Sequence, residues 1–320
     1  MNKRKHKPQW LTLLIFIAAL LGIALYLNAN PDLIELLGNI LWWQAILLIV
    51  LRLLFLGLNG YFLKIFARLF NVKLAVWEWF GLAFVTTMGN YLTPFSGGML
   101  VRATYLKVRH AFPYAQFISL LAASYLLTFW VAGVLGLVAV LQLGAVTGGE
   151  TLLLIFFAVL VTAVTLIFFL PTFKLPSQWR IIKIVNEMLV GWGKIRTNSG
   201  LLLRLGSINL VSMLLNGLAF WLAFHALDIS VSFPKALLIS LSAVFSVVLT
   251  ITPGNLGIRE AIIGLTGELI GIGVGEGLIV ALLIRASTLV SAFTLGPLFS
   301  YRLTRELQKM DTSLAEDHSL

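Results

Sequence analysis

No cysteine occurs in the chain, which excludes disulfides, thiolate metal sites and cysteine nucleophiles while leaving the compartment open. Histidine is nearly as scarce, and its four scattered copies argue against a metal centre. Charge is also in short supply, at 11% of residues against roughly 25% in an ordinary soluble domain. No water-soluble fold could hide the apolar surface of a chain that is 59% hydrophobic. Acidic residues are the rarer sign, 13 against 23 Lys and Arg, and a net charge of +10 raises nucleic acid as a partner. The basic residues, however, sit between apolar runs, which points to a membrane and not to nucleic acid. There is no Walker loop, no His-Glu-x-x-His, no Ser-x-x-Lys arrangement and no nucleophile paired with a base, so no enzyme site and no cofactor is implied.

What the chain has is apolar length. Runs of about 18 to 25 residues match a helix crossing a ~30 Å hydrocarbon core. They predict spans near 10–27, 40–58, 114–141, 151–170, 201–227 and 278–299. Two longer stretches, 74–106 and 234–270, are broken by Pro and Gly and read as helical hairpins. The fold class is therefore an all-α polytopic membrane protein with about six full spans and two re-entrant hairpins. Lys3-Arg4-Lys5 ahead of Trp10 to Leu27 resembles a signal peptide. The run is long enough to span, and Tyr26-Leu27-Asn28-Ala29-Asn30 offers no small-x-small cleavage site, so a retained anchor is expected. Residues 1–305 form one transmembrane domain with a basic interfacial segment at 171–200, carrying Arg180, Lys183, Lys194 and Arg196, and 306–320 form a polar tail.

If each broken stretch enters and leaves by the same face, 18 of the 23 Lys and Arg fall in cytoplasmic segments and only Lys235 in an external one. Both termini are then cytoplasmic. The same topology makes 151–300 an inverted copy of 10–141, the architecture of many transporters that bind substrate near the midplane. The hairpin tips match in kind: Leu92-Thr93-Pro94-Phe95-Ser96-Gly97-Gly98 precedes Arg102, and Ile251-Thr252-Pro253-Gly254-Asn255-Leu256-Gly257 precedes Arg259.

Thr-Pro at a break is a helix-start signature, with Thr93 or Thr252 capping orphan amides and Pro94 or Pro253 at the first helical position. A helix N-terminus at membrane depth suits an anionic group such as phosphate. Gly97, Gly98, Gly254 and Gly257 would let the backbone turn sharply and approach a ligand or the other hairpin. The alternative for either motif is a packing kink. Arg102 and Arg259 are placed to read a phosphate bidentately. Arg285 should face the bundle interior, either in the site or in a structural pair with Glu260. Arg52 reads as a structural partner of Glu78. Asn90, Asn209 and Asn216 read as hydrogen-bonding glue, His225 as interfacial, and most tryptophans as an aromatic belt.

The motifs Asn90-Tyr91-Leu92-Thr93-Pro94 with Gly97-Gly98 and Arg102, then Thr252-Pro253-Gly254-Asn255-Leu256-Gly257-Ile258-Arg259-Glu260 and Arg285, resemble the transmembrane region of lysylphosphatidylglycerol synthases, a flippase-like membrane family. Met99 departs from that pattern, where an acidic or polar residue is usual. The resemblance implies the translocating half alone, without the soluble aminoacyl-transferase domain for which the chain leaves no room. It implies a flippase-like transporter of an anionic phospholipid or lipid-linked molecule, in a bacterial cytoplasmic membrane. With no ATP motif in the sequence, a lipid or ion gradient would drive transport, with Glu260 or Glu78 as candidate proton carriers. The substrate-binding candidates are Thr93, Pro94, Gly97, Gly98, Arg102, Thr252, Pro253, Gly254, Asn255, Gly257, Arg259, Glu260 and Arg285. The rival readings are a non-transporting partner of a lipid or cell-envelope biosynthetic enzyme, docked through 171–200, and an intramembrane enzyme acting on a lipid-linked substrate.

Overall fold

A computed structural model describes residues 40–144, 148–169 and 197–317, with isolated positions in 21–38 and 182–193. The expected first span, 10–27, and most of the basic segment 171–200 lie outside the described residues. Among the described residues the fold is helical throughout: α1 (Trp42–Arg68), α2 (Val76–Leu92), α3 (Gly97–His110), α4 (Tyr114–Leu141), α5 (Gly149–Phe169), α6 (Ser199–Ala226), α7 (Phe233–Ser242), a 3-10 stretch (Ala243–Leu249), a 3-10 turn (Pro253–Asn255), α8 (Ile258–Leu269) and α9 (Val274–Asp317).

Helices α1, α4, α5, α6 and α9 contain segments long and apolar enough to cross a membrane, and they coincide with five of the six expected spans. Their outer surfaces are apolar as well, with Trp42, Leu152, Val159, Leu166 and Leu203 all exposed. A water-facing helix would be polar on that side, so these faces are matched to lipid. Helix α1 runs about three turns past residue 58 because Phe62, Leu63, Ile65 and Phe66 keep it apolar. Lys64, within that extension, lays its ammonium over the Tyr61 and Trp79 rings, 5.5 Å from each centroid. Helix α9 continues through the polar residues to Asp317, where a tail is expected after 305. Residues 306–310, Glu-Leu-Gln-Lys-Met, are all strong helix formers.

The two broken stretches do form hairpins. In the first, α2 and α3 approach so closely that a Cβ on Gly98 would lie 1.9 Å from the Thr86 carbonyl oxygen. Its base is closed by Glu78, whose Oε1 accepts from the Tyr105 hydroxyl at 2.8 Å and lies 2.9 Å from His110 Nε2, while Oε2 accepts from the Ala75 amide at 2.8 Å. Arg109 stands 3.9 Å away. Glu78 thus joins the two ends of its own hairpin and does not pair with Arg52, which corrects that expectation. Glu78 prefers this site because three partners within one hairpin satisfy both carboxylate oxygens.

In the second hairpin, α7 and its 3-10 extension descend to the turn and α8 returns. Lys235 Nζ donates to the Ile270 carbonyl at 2.7 Å, closing the base. That bond accounts for the lone lysine at this end: it caps the carbonyl end of α8. Phe245 locks the 3-10 stretch in place, stacked on Phe129 at 5.3 Å and edge-on to Phe156 at 5.0 Å.

The hairpin bases lie at opposite ends of α9. Gly264 of α8 packs against Val274 at the start of α9, whereas Trp77 at the start of α2 lies under Arg302, 5.2 Å from its guanidinium. Between these points α9 runs along α2, with Gly81 facing Phe299 and Gly296 facing Met88, small residues that admit a bulky partner. The tips meet in the interior, where Gly254 abuts the Tyr91 ring: a Cβ there would sit 2.4 Å from it.

Candidate functional site

The tips are built differently from the Thr-Pro expectation. In the first, Phe95 and Ser96 take left-handed backbone angles, φ 55° and 54°, so α3 starts only at Gly97 and Pro94 lies in the turn. Thr93 Oγ1 donates back to the Gly89 carbonyl at 2.6 Å, ending α2 instead of capping α3. Gly97 and Gly98 serve contacts inside their own hairpin, against Thr93 and against Thr86 and Asn90. In the second, Pro253 opens a single 3-10 turn in which Gly254 has φ +59°, and Thr252 Oγ1 donates across it to the Leu256 carbonyl at 2.8 Å. Helix α8 starts after Gly257, whose amide donates to Glu260 Oε2 at 2.8 Å. The carboxylate of Glu260 thereby occupies the place at the helix start that an anion was expected to take.

Four arginines gather around these tips, and they fall into two kinds. Arg285 is fully engaged. Its Nε donates to Glu260 Oε1 at 2.7 Å, its Nη2 donates to the same oxygen, its Nη1 donates to the Gly254 carbonyl at 3.0 Å, and its guanidinium lies 5.4 Å over the Tyr91 ring. Arg285 and Glu260 therefore clamp the second tip to α9, the structural alternative raised for them. The remaining three are not paired with any carboxylate. Arg102, 8% exposed, uses Nε to donate to Thr86 Oγ1 at 2.8 Å and leaves both terminal nitrogens without a partner among the described residues. Arg259 makes no hydrogen bond or ion pair among the described residues and stands within electrostatic range of Tyr91, Arg52, Arg285 and Glu260. Arg52, 2% exposed, has Nε and Nη2 buried without a partner among the described residues, and its guanidinium lies 5.3 Å over the Phe55 ring.

These three arginines line a single cavity of about 380 Å³ between α1, α2, α3, α4, α6 and the second tip. Among the described residues no Asp or Glu lines it. Its other polar groups are hydroxyls and amides, among them Thr86, Tyr125, Asn209, Asn216 and Asn255. Of the candidates named from the sequence, Arg102, Thr252, Gly254, Asn255 and Arg259 line it, whereas Thr93, Pro94, Gly97, Gly98, Pro253, Gly257, Glu260 and Arg285 support the tips from outside. Two residues of the arrangement escape a sequence reading. Arg52 is one, although a lone cation deep in an apolar span is the signal that could have found it. Tyr91 is the other, a ring that packs on Gly254 and carries Arg285. Asn209 does act as glue, accepting from Thr128 at 3.1 Å across α4 and α6. Asn90 and Asn216 line the cavity as Asn209 does, but their amide oxygens have no partner among the described residues.

A helical membrane bundle with an interior arginine cavity between two broken hairpins is the class that the geometry defines. Residues 9–296 match the family described as Lysylphosphatidylglycerol synthase TM region. The chain belongs to that family. Comparisons with curated proteins and with solved structures return no match.

Proposed function

We propose that this chain is a flippase-like transporter that carries an anionic phospholipid or lipid-linked molecule between leaflets, with the head group held in the cavity by Arg52, Arg102 and Arg259. The observation that carries the reading is the charge balance of the cavity: three buried or half-buried arginines and no carboxylate among the described lining residues. A guanidinium at membrane depth is costly without a counter-ion, and intramembrane charges of this kind mark substrate pathways. An anionic head group supplies the missing partner, bidentate to the free terminal nitrogens of Arg102. The placement of the hairpin bases at opposite ends of α9 supports an inverted repeat, with each hairpin entering from its own face of the membrane. The basic residues Lys64, Arg68, Lys73, Lys107 and Arg109 cluster at the base of the first hairpin, which supports a cytoplasmic location for that face and for the C-terminus.

The test is transfer of a labelled anionic phospholipid in proteoliposomes, read beside the thermal unfolding midpoint of each purified variant. Arg102→Lys and Arg259→Lys keep the charge but lose the planar fork, so transfer should fall by about tenfold or more at nearly unchanged midpoint. Normal transfer by both variants, or a loss that tracks unfolding, overturns the site. No transfer by the wild-type chain alone favours the non-transporting partner.

A further inference from the structure

The wall of the cavity is specialised beyond its arginines. Six hydroxyls on it have already given their hydrogen to a backbone carbonyl: Thr87 to Ala83 at 2.9 Å, Ser124 to Leu120 at 2.7 Å, Ser240 to Leu237 at 2.9 Å, Ser246 to Ala243 at 2.8 Å, Thr252 to Leu256 at 2.8 Å and Thr288 to Ile284 at 2.8 Å. A hydroxyl has one hydrogen and two acceptor lone pairs, so each of these can now only accept. Asn255 repeats the pattern: its Nδ2 donates to the Ser246 carbonyl at 2.7 Å, and its amide oxygen has no donor. The cavity therefore offers positive donors from three arginines and a group of six acceptor-only hydroxyls, beside Thr86 and Tyr125, which keep a hydrogen to give, with no negative group among its described lining residues.

A ligand that matches both halves must be an anion that also carries donors of its own, and those donors must be uncharged. An ammonium would satisfy the acceptors but would enter beside Arg52, Arg102 and Arg259 with no carboxylate among the described lining residues to offset the repulsion. A bare phosphate would satisfy the arginines and leave the acceptors facing nothing. We infer that the cavity is built for a phosphate esterified to a neutral polyol, such as glycerol, inositol or a sugar ring, and against a head group that bears a free amine. The inference rests on the anionic-substrate reading above and narrows it to a substrate class. It separates the chemistry of this chain from that of a lysylated lipid, whose extra ammonium would stand beside three arginines with no carboxylate among the described residues lining the cavity.

The experiment is a concentration-dependent thermal shift on the purified full chain in a neutral detergent, with four probes: phosphatidylglycerol, phosphatidylmethanol and lysyl-phosphatidylglycerol of identical acyl chains, and sn-glycerol 3-phosphate. Phosphatidylmethanol is a phosphodiester of the same single charge as phosphatidylglycerol and has no head-group hydroxyl. Two hydroxyls bonded in the cavity should tighten the apparent affinity for phosphatidylglycerol by about tenfold or more over phosphatidylmethanol. Lysyl-phosphatidylglycerol should bind more weakly than phosphatidylglycerol. The double variant Ser124→Ala with Ser240→Ala should erase the preference for phosphatidylglycerol while keeping the response to phosphatidylmethanol, a readout that separates lost recognition from lost folding. Glycerol 3-phosphate acting as strongly as the lipid supports the same head-group chemistry and assigns it to a soluble ester. Equal affinity for phosphatidylmethanol and phosphatidylglycerol, or binding of the lysylated lipid as tight as that of phosphatidylglycerol, overturns the inference while leaving the anionic site standing. No response to any probe overturns both.

Discussion

Two buried arginines should respond in opposite directions when made apolar. Arg285→Met strands the Glu260 carboxylate, itself 2% exposed, without its partner. Breaking a buried pair from one side costs about 3–5 kcal/mol. Arg52→Met removes a guanidinium with two buried nitrogens that have no partner. Each stranded donor costs about 1–3 kcal/mol, and the flexible, apolar Met side chain leaves none, so the variant should gain about 2 kcal/mol or more. With roughly 2–4 °C per kcal/mol for a larger domain, the unfolding midpoint should rise by about 4–8 °C for Arg52→Met and fall by about 6–20 °C for Arg285→Met. The nine tryptophans give the signal, with both variants in the same neutral detergent and no anionic lipid present. Adding phosphatidylglycerol should then stabilise the wild type and not Arg52→Met, because ligand stabilisation requires the site. A fall for Arg52→Met comparable to that for Arg285→Met would mean that Arg52 is a structural group, and the cavity would lose a third of its charge argument.

The glycine packing of the first hairpin is open to a direct test: Gly98→Ala places a methyl 1.9 Å from the Thr86 carbonyl oxygen and should lower the midpoint by the equivalent of about 1–3 kcal/mol, whereas Gly206→Ala, with nothing within 4 Å, should leave it unchanged or raise it. The orientation can be read with single cysteines, which a cysteine-free chain accepts without background. Lys73→Cys, exposed at the base of the first hairpin, should resist an impermeant thiol reagent in intact cells, and Gln142→Cys, exposed at the far end of α4, should react. The reverse labelling pattern would invert the proposed topology.

The long spans were legible because a run of apolar residues needs no partner to declare itself: length against bilayer thickness decides it. The breaks at Thr93-Pro94 and Thr252-Pro253 were legible for the same local reason. What failed was direction. Whether a threonine hydroxyl points forward to cap a helix or back to close the preceding one depends on the turn between, and Phe95 and Ser96 in left-handed angles are not foreseeable from their residue types. Pairing was legible in part. The Glu260–Arg285 pair was one of the two readings of Arg285, and the packing of α8 on α9 makes it. Arg52 and Glu78 look like natural partners on paper, yet Tyr105, His110 and the Ala75 amide already fill the carboxylate. Charge partners are long-range facts, and the cavity follows from which arginines are left over.

The 3-10 stretch at Ala243–Leu249 has a mechanical consequence. Runs of this geometry seldom exceed three or four residues, and here seven are held in it by the ring packing around Phe245. A 3-10 residue rises about 2.0 Å and an α-helical one about 1.5 Å. Recoiled as α-helix, the same seven residues would be shorter by about 3.5 Å, drawing the Pro253–Asn255 turn back along its own axis without any rotation of the bundle. Gly254 abuts Tyr91 at van der Waals range, so a retraction of that size would part the two tips. Such a change of coil would act as a spring of fixed stroke, in series with the Gly254–Tyr91 contact between the hairpin tips.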